Sequence, residues 1–524
     1  MRIPSNSKGA YLREACATAL VIGMSATFAA AAERGGTLTV AIPQMGASPD
    51  PVVTTFGTNW MTAAVACEGL FAIDESWSPQ PMLAERFSYN DDGTRLTVTL
   101  RDGITFHSGA PLAASDVVAS LERFKSSAGI GASFAGVVES ISAPDDKTVV
   151  FDLAAASPIV PGILTVTPSV ILSEASLNGA NATTPVEALD CTGPYKVAEF
   201  SPDQGVTFER FDSYVSRSEP SSAEAGAKHA WADTIEFRLQ PEASIRRDSL
   251  LTGEVDIAME LPTDFYDAVE LSPETQPVVI ANQQSLTVVF NTQKGPAADE
   301  NLRRAIYYAL DKDPIMLASV GNPEFYTLDP SWVPDPASIW HSTAGVPDNH
   351  QSPNLELAKE YLAKSNYNGE ELRWLTATEQ HQKHYLTAIT AVQQLRDFGL
   401  NIQIQEMPIA TYIQQRADVD AMDMFSSFLP TYVDPTSIAY LNASYPGFWT
   451  DQQKLDLMDE LARTIDTDER VAIFNRLHEL AYAQFPFIKY GTEAKLYAVR
   501  VGVEGASASP VSNIDFYNVV PPSK

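Results

Sequence analysis

Leu100-Arg101-Asp102-Gly103-Ile104-Thr105-Phe106-His107-Ser108-Gly109, followed by Pro111-Leu112-Ala113-Ala114-Ser115-Asp116-Val117, is the stretch from which the rest of the chain can be ordered. Leu96, Val98 and Leu100 alternate with polar residues, which predicts a strand ending at Leu100. Gly103 suits a turn, and a second short strand follows it. Ser115 is a suitable N-cap for a helix that places Val117, Val118, Leu121 and Phe124 on one face. His107 falls among turn residues and reads as a turn-stabilising side chain rather than a ligand contact.

Outward from this stretch, strands and helices alternate. Thr37 to Ile42 and Thr148 to Leu153 read as strands, the second entered through the turn Pro144-Asp145-Asp146-Lys147. Leu302, Ala305, Ile306, Ala309 and Leu310 mark a helix by their spacing. A second helix is predicted from His384 to Phe398, closed by Gly399, with a strand from Asn401 to Gln405 after it. Val471, Phe474, Leu477 and Ala481 share a face of a late helix. Ser218 to Gly226 is the most loop-like interior stretch. The pattern favours α/β architecture, and 524 residues exceed one ordinary core.

The first 32 residues differ. Arg2, Lys8 and Arg13 precede an apolar run from Cys16 to Phe28, and Ala29 to Ala32 are small. This reads as a cleaved secretory signal peptide, since the apolar run falls short of the ~20 residues a membrane-spanning helix needs. Its removal takes Arg2, Lys8, Arg13 and Glu14 and moves the net charge from −31 to −33. Such a charge argues against nucleic acid as a partner and is compatible with cationic solutes or simply with solubility. Cys67 and Cys191 remain. An oxidising compartment permits a disulfide between them; two buried free thiols are the other reading.

Catalytic signatures are missing. Gly131-Ala132-Ser133-Phe134-Ala135 lacks the second glycine of a nucleophile elbow. His478-Glu479-Leu480-Ala481-Tyr482 starts like a zinc-protease helix but ends in tyrosine. His381 and His384 have no evident third metal ligand.

Taken together, several segments resemble the bacterial extracellular solute-binding proteins of family 5, the dipeptide, oligopeptide and nickel-binding group. The opening stretch looks like the family's Leu-Arg-x-Gly-x-x-Phe-His-x-Gly signature with its downstream Ala-x-Asp-Val. Glu68-Gly69-Leu70-Phe71, Thr192-Gly193-Pro194-Tyr195, Leu251-Thr252-Gly253-Glu254-Val255-Asp256, Phe290-Asn291-Thr292, Leu302 to Asp311 and Asp434-Pro435 follow in family order.

The resemblance implies an α/β, periplasmic-binding-protein type II fold: two lobes with a hinge, plus an extra subdomain inserted in lobe I. Residues 33–70, 190–285 and 495–524 would form lobe I, 71–189 the inserted subdomain and 286–494 lobe II. The hinge crossings would lie near Asn282–Leu286 and Ala494–Ala498. It further implies a non-enzymatic, monomeric periplasmic receptor without a cofactor. Such a receptor closes on a small solute and delivers it to the permease subunits of an ABC importer.

Candidate contacts follow from the same resemblance. Peptide-binding relatives hold the peptide's ammonium with an aspartate that falls at Thr431 here, and place a tryptophan where Phe428 stands. Tyr432 and Asp434 complete that segment. Dipeptide-binding relatives carry an arginine and a tyrosine where Thr378 and Gln380 stand, beside His381. Gln44, Met45 and Trp60 would face the cleft from lobe I. These replacements shift weight from ordinary dipeptides toward opine-like or other peptide-like solutes. An oligosaccharide, a metal chelate, or a secreted hydrolase in place of a receptor are the alternatives.

Overall fold

The computed structural model describes residues 34–54, 57–127, 130–377, 382–430, 433–506 and 514–523. The predicted signal peptide lies outside them, as do Thr378, Gln380, His381, Thr431 and Tyr432. No helix among the described residues is long and apolar enough to cross a membrane.

A mixed sheet of eleven strands organises the chain. From one edge, its order is Ile402–Met407, Leu372–Ala377, Met424–Pro430, Thr275–Phe290, Phe487–Arg500, Ile257–Leu261, Thr37–Ile42, Thr234–Leu239, Gly205–Arg210 and Tyr195–Ser201. Tyr326–Thr327 pairs off this path with Phe487–Arg500. One half of the sheet buries Leu38, Val40, Tyr195, Phe208, Phe237 and Phe516. The other half buries Leu302, Ile306, Trp374 and Leu395 on one side, and Trp332, Phe425, Trp449 and Phe474 elsewhere. A separate antiparallel sheet of Ala84–Tyr89, Arg95–Leu100, Thr148–Leu153 and Val138–Asp145 packs on the helix Ala114–Lys125 around Leu96, Val98, Leu121, Phe124 and Phe151.

The two strands in the middle of the large sheet are unusually long. Thr275–Phe290 has 16 residues and Phe487–Arg500 has 14. They pair antiparallel from Thr275↔Arg500 to Ile280↔Lys495, and again from Gln284↔Glu493 to Val289↔Phe487. Between these stretches Ala281, Asn282 and Gln283 oppose the single residue Ala494, and the register shifts. Asn282 takes φ 57°, a left-handed conformation that asparagine tolerates better than most residues. Glu493, at the edge of this break, is buried and paired with Lys383.

The helix Ala114–Lys125 starts two residues earlier than a cap at Ser115 would require. Its N-cap is Ala113, and Ser115 lies in the first turn. The Asp116 carboxylate accepts from the Ala113 amide at 2.9 Å and from the Glu174 amide at 2.8 Å. The carboxylate at the third helical position thus satisfies the N-cap amide, the half of a capping box that needs no cap side chain.

The signature segments meet at the scaffold. The His107 amide donates to the Cys191 carbonyl (2.7 Å), and His107 Nε2 lies 3.0 Å from the Gly193 carbonyl. Burial pushes the His107 imidazole pKa down, against the pull of that carbonyl and of Asp190. Gly193 approaches so closely that a Cβ there would lie 2.5 Å from the Ala66 carbonyl oxygen. Beside it Cys67 and Cys191 are joined as a disulfide with Cα atoms 4.9 Å apart, closing a separation of 124 residues. Chain entropy for a loop of that length corresponds to about 5 kcal/mol. Replacing both cysteines by serine should lower stability by several kcal/mol in urea titration, and reduction of the native protein should do the same.

Candidate functional site

The break in the central strand pair opens onto a cavity of about 300 Å³. That is the lower end of what small-molecule sites occupy. One wall comes from the first half of the sheet and its appended segments: Trp60, Trp77, Thr165, Thr167 and Glu224. The break itself supplies Asn282 and Gln283, and Pro430 and Val433 face them from the end of Met424–Pro430. Thr165, Val166, Thr167 and Glu224 also line a narrower recess of about 60 Å³ that runs inward past Glu68, Lys228 and Tyr517.

Each wall element is held by local chemistry. Trp60 donates its indole N–H to the carbonyls of Pro51 (3.2 Å) and Thr54 (2.9 Å). Trp77 sits at φ 63°, an unfavourable conformation for a bulky residue, in a turn organised by Asp74. Its indole N–H donates to Asp335 Oδ2 at 2.9 Å. Both indoles have therefore spent their only donor on the protein, and they offer the cavity ring carbon.

Glu224 is carried by the loop Ser222–Ala225. The loop closes on itself through reciprocal Ser222 and Ala225 backbone bonds of 3.0 Å, and the Glu224 amide donates to the Ile73 carbonyl at 3.0 Å. Burial, then the neighbouring Asp515, push the Glu224 carboxyl up to about 8, opposed by Lys228. Beneath it, Glu68 is buried and accepts from Tyr214 (2.8 Å) and Thr192 (3.2 Å), with Lys228 Nζ 3.9 Å away.

The residues expected from the sequence fall differently. Trp60 lines the cavity. Gln44 is exposed and Met45 is half-buried against the core of the first half; neither lines it. Phe428 pairs with Leu286 across the sheet and packs against His384, ring centroids 5.5 Å apart, outside the lining set.

Asp434 is 8% exposed and its charge is committed: Oδ2 lies 2.8 Å from Arg470, and Oδ1 accepts from the Thr436 amide at 2.9 Å. It caps the short turn Pro435–Ser437 rather than presenting a carboxylate to the cavity. Thr378, Gln380, His381, Thr431 and Tyr432 lie outside the described residues. The sequence reading missed Trp77 and Glu224, and gave Asn282 and Gln283 only as part of an expected hinge crossing. The one signal available was the loop character of Ser218 to Gly226, since loops on a rigid scaffold commonly carry recognition groups.

The two sides also touch directly. Besides Trp77 to Asp335, the Ile339 amide donates to the Ser76 carbonyl at 3.3 Å. Ile465 Cδ1 sits so near Gly93 that a Cβ there would be 3.1 Å from it. The cavity lining itself combines the rings of Trp60 and Trp77 with the polar residues Thr165, Thr167, Glu224, Asn282 and Gln283, a set suited to holding a solute by hydrogen bonds, charge and ring surface.

Asp434 gives a direct test of its assignment to the scaffold. Asp434→Asn should destabilise the protein by about 3 kcal/mol, because Arg470 is then buried without its counter-charge. The double variant Asp434→Leu/Arg470→Met should recover most of that loss in the same urea titration.

Residues 78–449 match the family model described as bacterial extracellular solute-binding proteins, family 5, middle. A curated relative, the probable peptide ABC transporter periplasmic-binding protein y4tO of Sinorhizobium fredii, is 25% identical over 467 residues, 84% of this chain and 86% of its own. The solved structure of AgaA in complex with agropinic acid from A. tumefaciens R10 has a TM-score of 0.69 at 26% identity, covering 93% of this chain and 99% of that one. HbpA2 from Haemophilus parasuis superposes with a TM-score of 0.80 at 21% identity, over 92% and 99% of the two chains. With the sheet, the cavity and the match across most of its length, this chain belongs to the family 5 bacterial extracellular solute-binding proteins and has their type II periplasmic-binding fold.

Proposed function

We propose that this chain is the solute-binding component of an ABC import system, holding a peptide-like or opine-like solute in the cavity and passing it to a membrane permease. The observation that carries this is the position of the cavity: it lies where two halves of one sheet are joined by two long strands whose pairing breaks. Similarity to a peptide-transport binding protein and to a protein solved with agropinic acid supports the choice of solute class.

A solute that touches Trp60, Trp77 or Glu224 and also Pro430 or Val433 makes its full set of contacts only when the walls are close. It therefore binds the closed arrangement better and shifts the population toward it. Moving a receptor from about 1% to 99% closed takes roughly 10⁴-fold preference for the closed state. No covalent step is needed. Thr431 and Tyr432 stand in sequence between the lining residues Pro430 and Val433, and Thr378, Gln380 and His381 follow the strand Leu372–Ala377; all five are included in the proposed recognition surface. In this reading residues 1–32 direct export to the periplasm, and the receptor works as a monomer.

Native mass spectrometry of protein purified without denaturation should reveal a co-purified small molecule. Small-angle scattering should then give a smaller radius of gyration with that molecule than after its removal by unfolding and refolding. Identical scattering with and without a tightly held solute would overturn the proposal.

A further inference from the structure

Glu224 stands out among the cavity groups. It lines both the main cavity and the recess behind it. Among the described residues no donor forms a hydrogen bond with its carboxylate. Lys228, the nearby cation, is turned toward other partners: its ammonium lies 3.9 Å from Glu68 and 4.4 Å above the Tyr517 ring. The acids around the recess are Glu68, Glu224 and Asp515, and Lys228 is the one basic residue among its lining groups. The lining thus carries an excess of acidic groups over positive charge. Tyr214 and Tyr517, the phenols packed on this cluster, are both held neutral by burial.

A half-buried carboxylate that its surroundings desolvate is costly without a partner, and an opposite charge brought by a ligand removes that cost. The flanking groups suit the same ligand. Trp60 and Trp77 present ring carbon, and a cation over an indole ring gains further electrostatic attraction. The chain's net charge of −31 favours the approach of positively charged solutes.

We infer that Glu224 anchors a cationic group of the solute, so that the cavity selects molecules bearing an ammonium or guanidinium group. The inference rests on the receptor reading above and specifies the chemistry of its solute. It also links binding to protonation. The Glu224 carboxyl, pushed up to about 8, carries a proton at pH 7 in the empty cavity, and an incoming cation displaces that proton to solvent. Without a cation, the raised pKa contributes stability that is fully present below 4.5 and is lost as the pH rises through about 8. Glu224→Gln abolishes that dependence and keeps the side chain's shape, so the variant is expected to fold.

The test is calorimetric titration at pH 7, in two buffers of different ionisation enthalpy, with the dipeptide Ala-Phe, its N-acetylated form and agropinic acid. Ala-Phe should bind the native protein with release of close to one proton. Glu224→Gln should weaken that binding by about 100-fold and abolish the proton release. The acetylated form should bind both proteins weakly and equally. Thermal melting without ligand should show the native protein losing stability relative to Glu224→Gln between pH 5 and pH 8.

Equal Ala-Phe affinity in the two proteins, or binding without proton release, overturns the inference. So does tight binding of the acetylated form or of agropinic acid when Ala-Phe fails; if scattering then shows closure, the receptor reading stands without the Glu224 anchor. If none of the three binds and no solute co-purifies, both fall.

Discussion

The antiparallel pairing of Thr275–Phe290 with Phe487–Arg500 is the constraint on which the rest of the molecule depends. These two strands run through the middle of the large sheet, and each half of the sheet extends outward from them. Every backbone amide in such a strand must find a partner, so strands this long tolerate a break only where other groups compensate. Three residues opposing Ala494 make that break, and Glu493 beside it is tied to Lys383. A cavity at this position is a geometric result of interrupting the sheet there rather than at an edge.

Much of the fold was legible because its elements have strong periodicity. Thr37–Ile42 and Thr148–Leu153 appear with the expected bounds, and the helices around Leu302 and Leu477 bury most of the faces that their spacing marks. The site was much less legible, for a physical reason. Its walls come from positions 60, 77, 165, 224, 282 and 430, joined only by topology. Trp77 and Glu224 sit in turns, where no periodic pattern announces burial. Asp434 illustrates the converse: its place next to a proline in a family segment suggested a ligand contact, while the neighbour that claims its charge, Arg470, lies 36 residues further on.

The family signature proves to describe the frame more than the pocket. The turn around His107 leans on Cys191 and Gly193, Gly193 leans on Ala66, and Glu68 takes bonds from Thr192 and Tyr214. These segments, far apart in sequence, converge on one knot that the disulfide locks. That is why the resemblance speaks clearly about architecture and says little about cargo. None of the residues that line the main cavity lies in the quoted segments.

Asn282 and Gln283 belong at once to the interrupted strand and to the cavity lining. In the proposed receptor, flexure and recognition therefore share the same residues, and neither can drift in evolution without altering the other. Peripheral loops such as Ser222–Ala225 are under no such double duty. Descendants of this chain could acquire new diets by rewriting those loops, while the kinked crossing stays as it is because a change there would disturb appetite and articulation together.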